Sequence, residues 1–213
     1  MTQVFIVGFG KFGNLALAQW RRRGEKARIW IIDHRPEALS GKENLPGIRV
    51  LADGPQFLTR YQESIKDNDW IIPALPIHLA WKWLTLNLRK RPGYKMVVPP
   101  RSFGLNLPYC QQSGDGLFLS YADFICPENC PAPLTHCFKT KKKRTVPLWK
   151  FIADQRSPKI ALEVIESRQL APGVGGFPFG ELRKLQACAQ MSRPPFFVAT
   201  ACRCHGVMHG LTW

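Results

Sequence analysis

The first hundred residues alternate between short apolar runs and longer stretches in which apolar residues recur at helical spacing. Val4 to Val7 is an unbroken apolar run, which is typical of a parallel strand covered on both faces. Asn14 to Arg23 then carries leucines, an alanine and a tryptophan at helical intervals, and Gly24 provides a stop. The pattern therefore predicts a strand, a loop and a helix at the start of the chain.

The same alternation continues to about residue 100. It predicts further strands over residues 28–33, 47–51, 69–75 and 95–98, with helices over 55–65 and 77–88. Strands and helices alternating at this spacing favour a parallel sheet with right-handed crossovers. We therefore expect an α/β fold in which residues 1–100 form a Rossmann-like parallel sheet that binds a dinucleotide.

The remaining residues divide into two parts. Residues 101–147 are rich in proline, glycine and cysteine and have weak periodicity, which predicts a cysteine-rich loop region. A loop of this length usually has a function or a cross-link. Residues 148–213 return to regular patterns and predict a small α/β C-terminal part. Its expected elements are a helix over 148–155, a strand over 159–165, a helix over 179–190 and a strand over 195–201.

The loop after the first strand has the sequence GFGKFG, which is a GxGxxG motif. In such a loop Gly8 permits the tight turn, Gly10 lets the backbone approach a diphosphate, and Gly13 lets the helix pack closely. The helix N-terminus adds free N–H groups for the phosphates. The motif predicts dinucleotide binding, with Lys11 and Phe12 also at the site. The alternative is a decayed unit whose loop merely connects strand and helix.

An acidic residue ends the next predicted strand, twenty residues after the last glycine of the motif. Asp33 is placed to accept hydrogen bonds from the adenine-ribose hydroxyls, which favours NAD over NADP. His34 and Arg35 follow directly, and Arg35 would tolerate a 2′-phosphate. Pro73, at the end of the fourth strand, completes the nucleotide site predicted from these positions.

These segments resemble the NAD-binding domain of bacterial potassium-uptake regulators, the TrkA-N or RCK type. The resemblance rests on the segments GFGKFG, IIDHRPE, GIRVLADG and DWIIPAL, and it covers about residues 3–90. In that family the third strand leads to a Gly-Asp pair, for which Ala52-Asp53-Gly54 is the counterpart here, with the order altered. The resemblance therefore implies that Asp53 belongs to the nucleotide site. The rest of the chain does not look like the family's ligand-binding C-terminal domain, so a potassium-channel role does not follow.

One histidine follows the predicted fourth strand. His78 is expected at the edge where open α/β sheets bind their ligands. There it could donate or accept a proton beside a nicotinamide, which makes it the candidate catalytic residue. The alternative is a histidine that caps or packs at the start of a helix.

Cysteine is the residue type that most distinguishes this chain, with seven copies, three of them within twelve residues. Thiolates at short spacing favour metal ligation, and a second group near the C-terminus would pin the loop to that part. The candidate ligands are Cys126, Cys130, Cys137, Cys202, Cys204 and His205. The histidine favours zinc, whereas the Cys-Pro pairs favour an iron–sulfur cluster. The alternatives are buried apolar thiols, accepted for Cys110 and Cys188, and one activated thiolate without an evident base.

The net charge of +15 favours anionic partners without choosing among nucleotides, nucleic acids, acidic proteins and anionic lipids. The basic run at 139–144 lacks interleaved aromatic residues, so it favours a solvated loop over a nucleic-acid site. No apolar run is long enough to span a bilayer and no signal-peptide pattern opens the chain, which predicts a cytoplasmic protein. Association into a homo-oligomer is left open.

These features predict an NAD(H)-binding protein with a cysteine-ligated metal centre. One hypothesis is an NAD-dependent oxidoreductase. The other is a nucleotide or redox sensor that binds the dinucleotide without turnover. Polar groups facing the nicotinamide would distinguish the two, and the sequence offers few of them.

Overall fold

A computed structural model describes residues 1–41, 46–88, 93–104 and 106–213. Over these residues the chain has an α/β fold with two six-stranded sheets. The strands are β1 (Thr2–Val7), β2 (Ala27–Asp33), β3 (Ile48–Leu51), β4 (Trp70–Pro73), β5 (Lys95–Val97), β6 (Tyr109–Ser113), β7 (Gly116–Ser120), β8 (Ala161–Glu166), β9 (Arg168–Ala171), β10 (Val174–Pro178), β11 (Phe196–Ala201) and β12 (His205–Thr212). The α-helices are α1 (Lys11–Arg22), α2 (Pro36–Leu39), α3 (Gly54–Tyr61), α4 (Leu79–Leu88), α5 (Leu148–Ala153) and α6 (Phe179–Met191), and single 3-10 turns occupy Gln62–Ser64 and Arg101–Gly104.

The first sheet has the strand order β3-β2-β1-β4-β10-β9. Its first four strands are parallel, as the alternation of strands and helices predicted. The apolar run of β1 is covered on both faces, because Val4 and Ile6 pack in the cluster that contains Leu17 and Trp20 of α1. Its other face contributes Phe5 to the core that contains α3 and α4.

The second sheet has the order β6-β7-β12-β11-β8, with β5 also paired to β12. The predicted fifth strand therefore forms but lies in the second sheet, where Val97 is opposite Gly210. The edge of β4 is paired with β10, with Phe177 opposite Ile71. A hairpin from the C-terminal part thus completes the first sheet, and the two halves of the chain interleave.

A single apolar core joins the two sheets. It contains Val7 of the first sheet, Trp81 and Trp83 of α4, Leu182 of α6 and Val198 of the second sheet. The helices α4 and α6 are therefore packed between the sheets. A separate cluster covers the far face of the second sheet beneath α5.

Two regions differ from the pattern of the sequence. The hairpin β6–β7 forms where weak periodicity suggested only loop. Residues 205–212 form a strand between β11 and β7, which places His209 in the second sheet. Between β7 and α5, residues 121–147 are all described and have one isolated bridge, from His136 to Lys143, as their only sheet pairing. In the described part of the chain no helix is both long and apolar enough to cross a membrane.

Candidate functional site

The glycine loop joins β1 to α1 by a turn in which two glycines have no room for a side chain. Gly8 has a φ of 97°, and a Cβ there would lie 2.5 Å from the carbonyl oxygen of Ala74. A Cβ on Gly13 would lie 2.1 Å from the carbonyl oxygen of Gly8. Gly10 differs, because the nearest atom to an added Cβ is Arg35 Nη2 at 3.6 Å. Gly10 is also the N-cap of α1, and no side chain caps the helix there. The loop is therefore fixed by packing at both ends and open at its middle.

The acid at the end of β2 lies directly behind the glycine loop. Asp33 is 2 % exposed, and its Oδ2 accepts hydrogen bonds from the Phe9 N–H (2.7 Å) and Arg35 Nη2 (3.0 Å). Its Oδ1 accepts from the Arg35 backbone N–H (2.9 Å) and Nε (3.1 Å). Burial raises the pKa of this carboxyl, but the hydrogen bonds from Arg35 and Phe9 outweigh burial and hold the pKa well below its usual value. A carboxylate has about four acceptor positions, so Asp33 is fully engaged.

The other residues predicted to bind nucleotide are placed differently. Phe12 is half exposed in the first turn of α1, and His34 is mostly exposed, with its Nδ1 3.7 Å from the Asp33 carboxylate. Asp53 caps α3, since its carboxylate accepts a hydrogen bond from the Gln56 N–H at 3.0 Å. Pro73 ends β4 beside the last residue of β1. The Asp53 carboxylate is therefore engaged as the N-cap of α3.

His78 is buried between α4 and the second sheet. Its Nδ1 is 3.0 Å from His209 Nδ1, and its Nε2 is 2.9 Å from Thr200 Oγ1. One of the two facing Nδ1 atoms therefore carries a proton and donates a hydrogen bond to the other. Trp81 stacks on the His209 ring, and Asp115 lies 3.5 Å from His209 Nε2. Burial, together with its neighbour His209, holds the pKa of His78 well below its usual value. Both ring nitrogens of His78 thus face partners inside the protein.

A cavity of about 910 Å³ lies beside the start of α1. All six predicted metal ligands line it: Cys126, Cys130, Cys137, Cys202, Cys204 and His205. Phe12 of α1 and the hairpin β9–β10 complete its wall. Glu128 of the cysteine-rich loop forms an ion pair with Lys11 of the glycine motif. The glycine loop and the cysteine-rich loop are therefore neighbours in space.

The cysteine-rich loop is fastened at several points to the rest of the fold. The carbonyl of Cys130 accepts hydrogen bonds from the Gly173 N–H (3.1 Å) and from Gln169 Nε2 (2.6 Å), both in the hairpin β9–β10. Arg203 donates to the carbonyl of Leu134. These contacts bring a loop from the middle of the chain against the turn at 202–204.

One cysteine of the cavity contacts a histidine, and that histidine is held by a serine that sequence reasoning missed. His205 Nε2 lies 3.2 Å from Cys126 Sγ, and its Nδ1 lies 3.0 Å from Ser120 Oγ. Ser120 is on β7, directly opposite His205 in the sheet register, and this pairing has no sequence signal because β7 was not predicted. On the same wall, Arg144 Nη1 lies 2.9 Å from Cys204 Sγ.

The thiols influence one another across the cavity. Burial raises the pKa of Cys126, and the neighbouring thiols of Cys130, Cys137 and Cys202 act in the same direction. Burial also acts to raise the pKa of Cys137, but hydrogen bonds from Thr140 and the backbone outweigh it and lower the value. In the described residues no three histidine, cysteine or acidic side chains are close enough together to hold one metal ion. The fold gathers the predicted ligands around one cavity without placing them in coordination geometry.

The fold and the loop define an α/β protein with a strand–GxGxxG–helix unit. A family model described as "Uncharacterized protein, C-terminal domain" matches residues 80–213. An uncharacterized protein of Archaeoglobus fulgidus is 32 % identical over 217 residues, which cover 97 % of this chain and 97 % of the relative. The chain belongs to this family.

A second relative is similar to only part of the chain. A glycerol-3-phosphate dehydrogenase of Agathobacter rectalis, whose name specifies NAD(P)+, is 33 % identical over 81 residues. The match covers 36 % of this chain and 24 % of the dehydrogenase, so the chain spans about a quarter of that enzyme. The resemblance to the TrkA-N type stays a prediction.

Proposed function

We propose that this chain binds a nicotinamide dinucleotide at the glycine loop and holds a cysteine-ligated metal centre in the adjoining cavity. The observation that carries the proposal is the open space at Gly10. Gly8 and Gly13, on either side of it, have no room for an added Cβ. This space lies at the uncapped N-terminus of α1, where backbone N–H groups and the helix dipole favour a diphosphate. The partial similarity to a dehydrogenase named for NAD(P)+ supports a nicotinamide cofactor.

Arg35 supports NADP(H) as the preferred form, against the preference for NAD that Asp33 alone indicated. The Asp33 carboxylate accepts four hydrogen bonds within the protein, three of them from Arg35. Ribose hydroxyls could bind Asp33 only after the Arg35 side chain moved away. A 2′-phosphate instead meets the half-exposed guanidinium, which suits phosphate geometry.

Different segments of the chain supply the nucleotide site and the metal site. We propose residues 1–100 as the nucleotide-binding part, 101–147 as a source of metal thiolates, and 148–213 as the part that supplies the remaining ligands. The ion pair between Lys11 and Glu128 supports communication between the sites, because it joins the two loops directly.

A sensor or regulatory protein, as in the TrkA-N type, is supported better than hydride transfer. His78 was the candidate acid or base, and both of its ring nitrogens are engaged with His209 and Thr200. The oxidoreductase hypothesis keeps one supporting observation, the position of the thiol-lined cavity beside the glycine loop.

Titration of the purified chain with NADPH and NADH, followed by the fluorescence of the reduced nicotinamide, tests the proposal. We expect saturable binding of one cofactor per chain and a loss of at least about tenfold in affinity for Gly10→Ala, which is about 1.4 kcal/mol. The variant should stay folded, because the added Cβ meets only the end of the Arg35 side chain. Arg22→Ala, on the exposed last turn of α1, is the matched control. Equal affinity of Gly10→Ala and wild type would exclude this loop as the site.

A further inference from the structure

Within the thiol-lined cavity, one cysteine and one histidine are already arranged as a ligand pair. We infer that Cys126 and His205 supply two ligands to a single divalent ion of the zinc class, with Ser120 positioning the imidazole. Cys137 and Cys202 supply the other two, which makes a Cys3His set. This inference rests on the metal centre of the proposed function and specifies its ligands and its class of ion.

The separation of the pair fits one tetrahedral ion. Zinc binds thiolate sulfur at about 2.3 Å and imidazole nitrogen at about 2.0 Å, which places two such ligands roughly 3.5 Å apart at the tetrahedral angle. Cys126 Sγ and His205 Nε2 are 3.2 Å apart. A shift of a few tenths of an ångström therefore brings both atoms to ligating distance of one ion.

The hydrogen bonds of Ser120 leave His205 in the tautomer that a metal requires. The Ser120 hydroxyl donates to the carbonyl of Ala122 at 2.9 Å, so its oxygen accepts from the Ala122 N–H and from the imidazole. His205 Nδ1 then carries the proton, and the lone pair of Nε2 faces Cys126. Metal-bound histidines commonly donate their other ring N–H to such a fixed acceptor.

Two further cysteines have backbone N–H groups directed at their sulfur atoms. Cys202 Sγ accepts from the N–H groups of Cys204 (3.4 Å) and His205 (3.3 Å). Cys137 Sγ accepts from the N–H of Thr140 (3.5 Å). Hydrogen bonds to sulfur favour the thiolate, which is the form that binds a metal.

The remaining two cysteines of the cavity are held by other groups. Cys204 Sγ lies 2.9 Å from Arg144 Nη1, and the positive charge of this guanidinium disfavours a cation at the same sulfur. Cys130 Sγ accepts one N–H, from Ala132 at 3.4 Å, and its carbonyl is tied to the hairpin β9–β10. Among the described residues, no three histidine, cysteine or acidic side chains surround one point. Binding of an ion therefore draws the thiols of Cys137 and Cys202 toward the Cys126–His205 pair.

Metal analysis of the full chain, followed by Co²⁺ titration of the metal-free protein, tests the inference. We expect one zinc per chain as purified, and a Co²⁺ spectrum with thiolate charge-transfer and tetrahedral d–d bands. Ser120→Ala should weaken Co²⁺ binding about 10- to 100-fold, as removal of an outer hydrogen-bond partner does. Cys137→Ser and Cys202→Ser should each remove one thiolate from the charge-transfer intensity.

Cys130→Ser and Cys204→Ser are the matched controls, and both should bind Co²⁺ within about twofold of wild type. Loss of Co²⁺ binding in either control would overturn the ligand set, and iron with acid-labile sulfide in the purified protein would overturn the single ion. If no metal binds and alkylation of Cys126 slows in His205→Ala, the pair is a thiol nucleophile with its base instead. NADPH titration of the same samples separates the two proposals. Binding of NADPH without metal refutes the metal site alone, and binding of metal without NADPH refutes the dinucleotide site alone.

Discussion

Replacement of Arg35 by alanine should reverse the cofactor preference. In wild type the guanidinium lies against Asp33, with Nε and Nη2 at 3.1 and 3.0 Å from the two carboxylate oxygens. A 2′-phosphate would contact the exposed side of the same group, whereas ribose hydroxyls would have to displace it. Arg35→Ala removes the phosphate partner and at the same time frees acceptor positions on Asp33.

The size of the effect follows from the exposure of the arginine. The Arg35 side chain is 46 % exposed, so solvent partly screens its hydrogen bonds to a phosphate and the effect lies at the low end for charged groups. NADPH affinity should therefore fall roughly tenfold. NADH affinity should stay constant or rise, so the ratio of the two affinities should fall by at least about tenfold.

Parallel titrations of wild type, Arg35→Ala and Arg35→Lys with NADPH and NADH measure this ratio. The lysine variant keeps the charge but loses the forked geometry, so its ratio should lie between the other two. Arg22→Ala serves as the control for loss of an exposed arginine elsewhere in the domain. A wild type that prefers NADH, or an unchanged ratio in Arg35→Ala, would refute the role assigned to this residue.

Three further predictions concern the surroundings of the two sites. Gly13→Ala should lower the free energy of unfolding by about 1–3 kcal/mol in a denaturant titration, since its Cβ would lie 2.1 Å from the carbonyl oxygen of Gly8; unchanged stability would contradict the close packing. His78 and His209 have pKa values lowered by burial, so they stay neutral in the folded state and protonate on unfolding below about pH 6.5. Stability should therefore be intact above that pH and decline below it, by up to about 1.4 kcal/mol per pH unit per histidine, and His78→Asn should flatten the decline. Glu128→Gln should leave stability within about 0.5 kcal/mol, because both partners of its ion pair are more than half exposed. It should also tighten NADPH binding at low salt, an effect that high salt should abolish.

The local patterns of the sequence were sufficient for the four parallel strands of the first sheet and for the glycine loop. The apolar run of β1 and the motif glycines depend on neighbours in sequence, and the structure forms the predicted strand, turn and helix there. The assignment of β5 failed for a non-local reason. A three-residue strand pairs equally well with any free edge, and the edge of β4 is taken by β10, which lies about a hundred residues later in the chain.

The contacts within the candidate sites depended even more on distant parts of the chain. The sequence indicated that the six metal candidates belong together, and they line one cavity. It could not indicate that Ser120 holds His205, since that contact arises from the register of β7 and β12. Nor could it show that Arg35 saturates Asp33, because the orientation of a long side chain is decided by its surroundings rather than by its spacing.

Amide hydrogen exchange with and without saturating NADPH shows whether a dinucleotide binds at the glycine loop. We expect slower exchange in peptides that cover residues 8–14, because the N–H groups of the first turn of α1 would bind the diphosphate. Peptides over β11, on the far side of α4, should exchange equally in both samples. Protection confined to other segments, such as residues 126–137, or no protection at all, would contradict the claim.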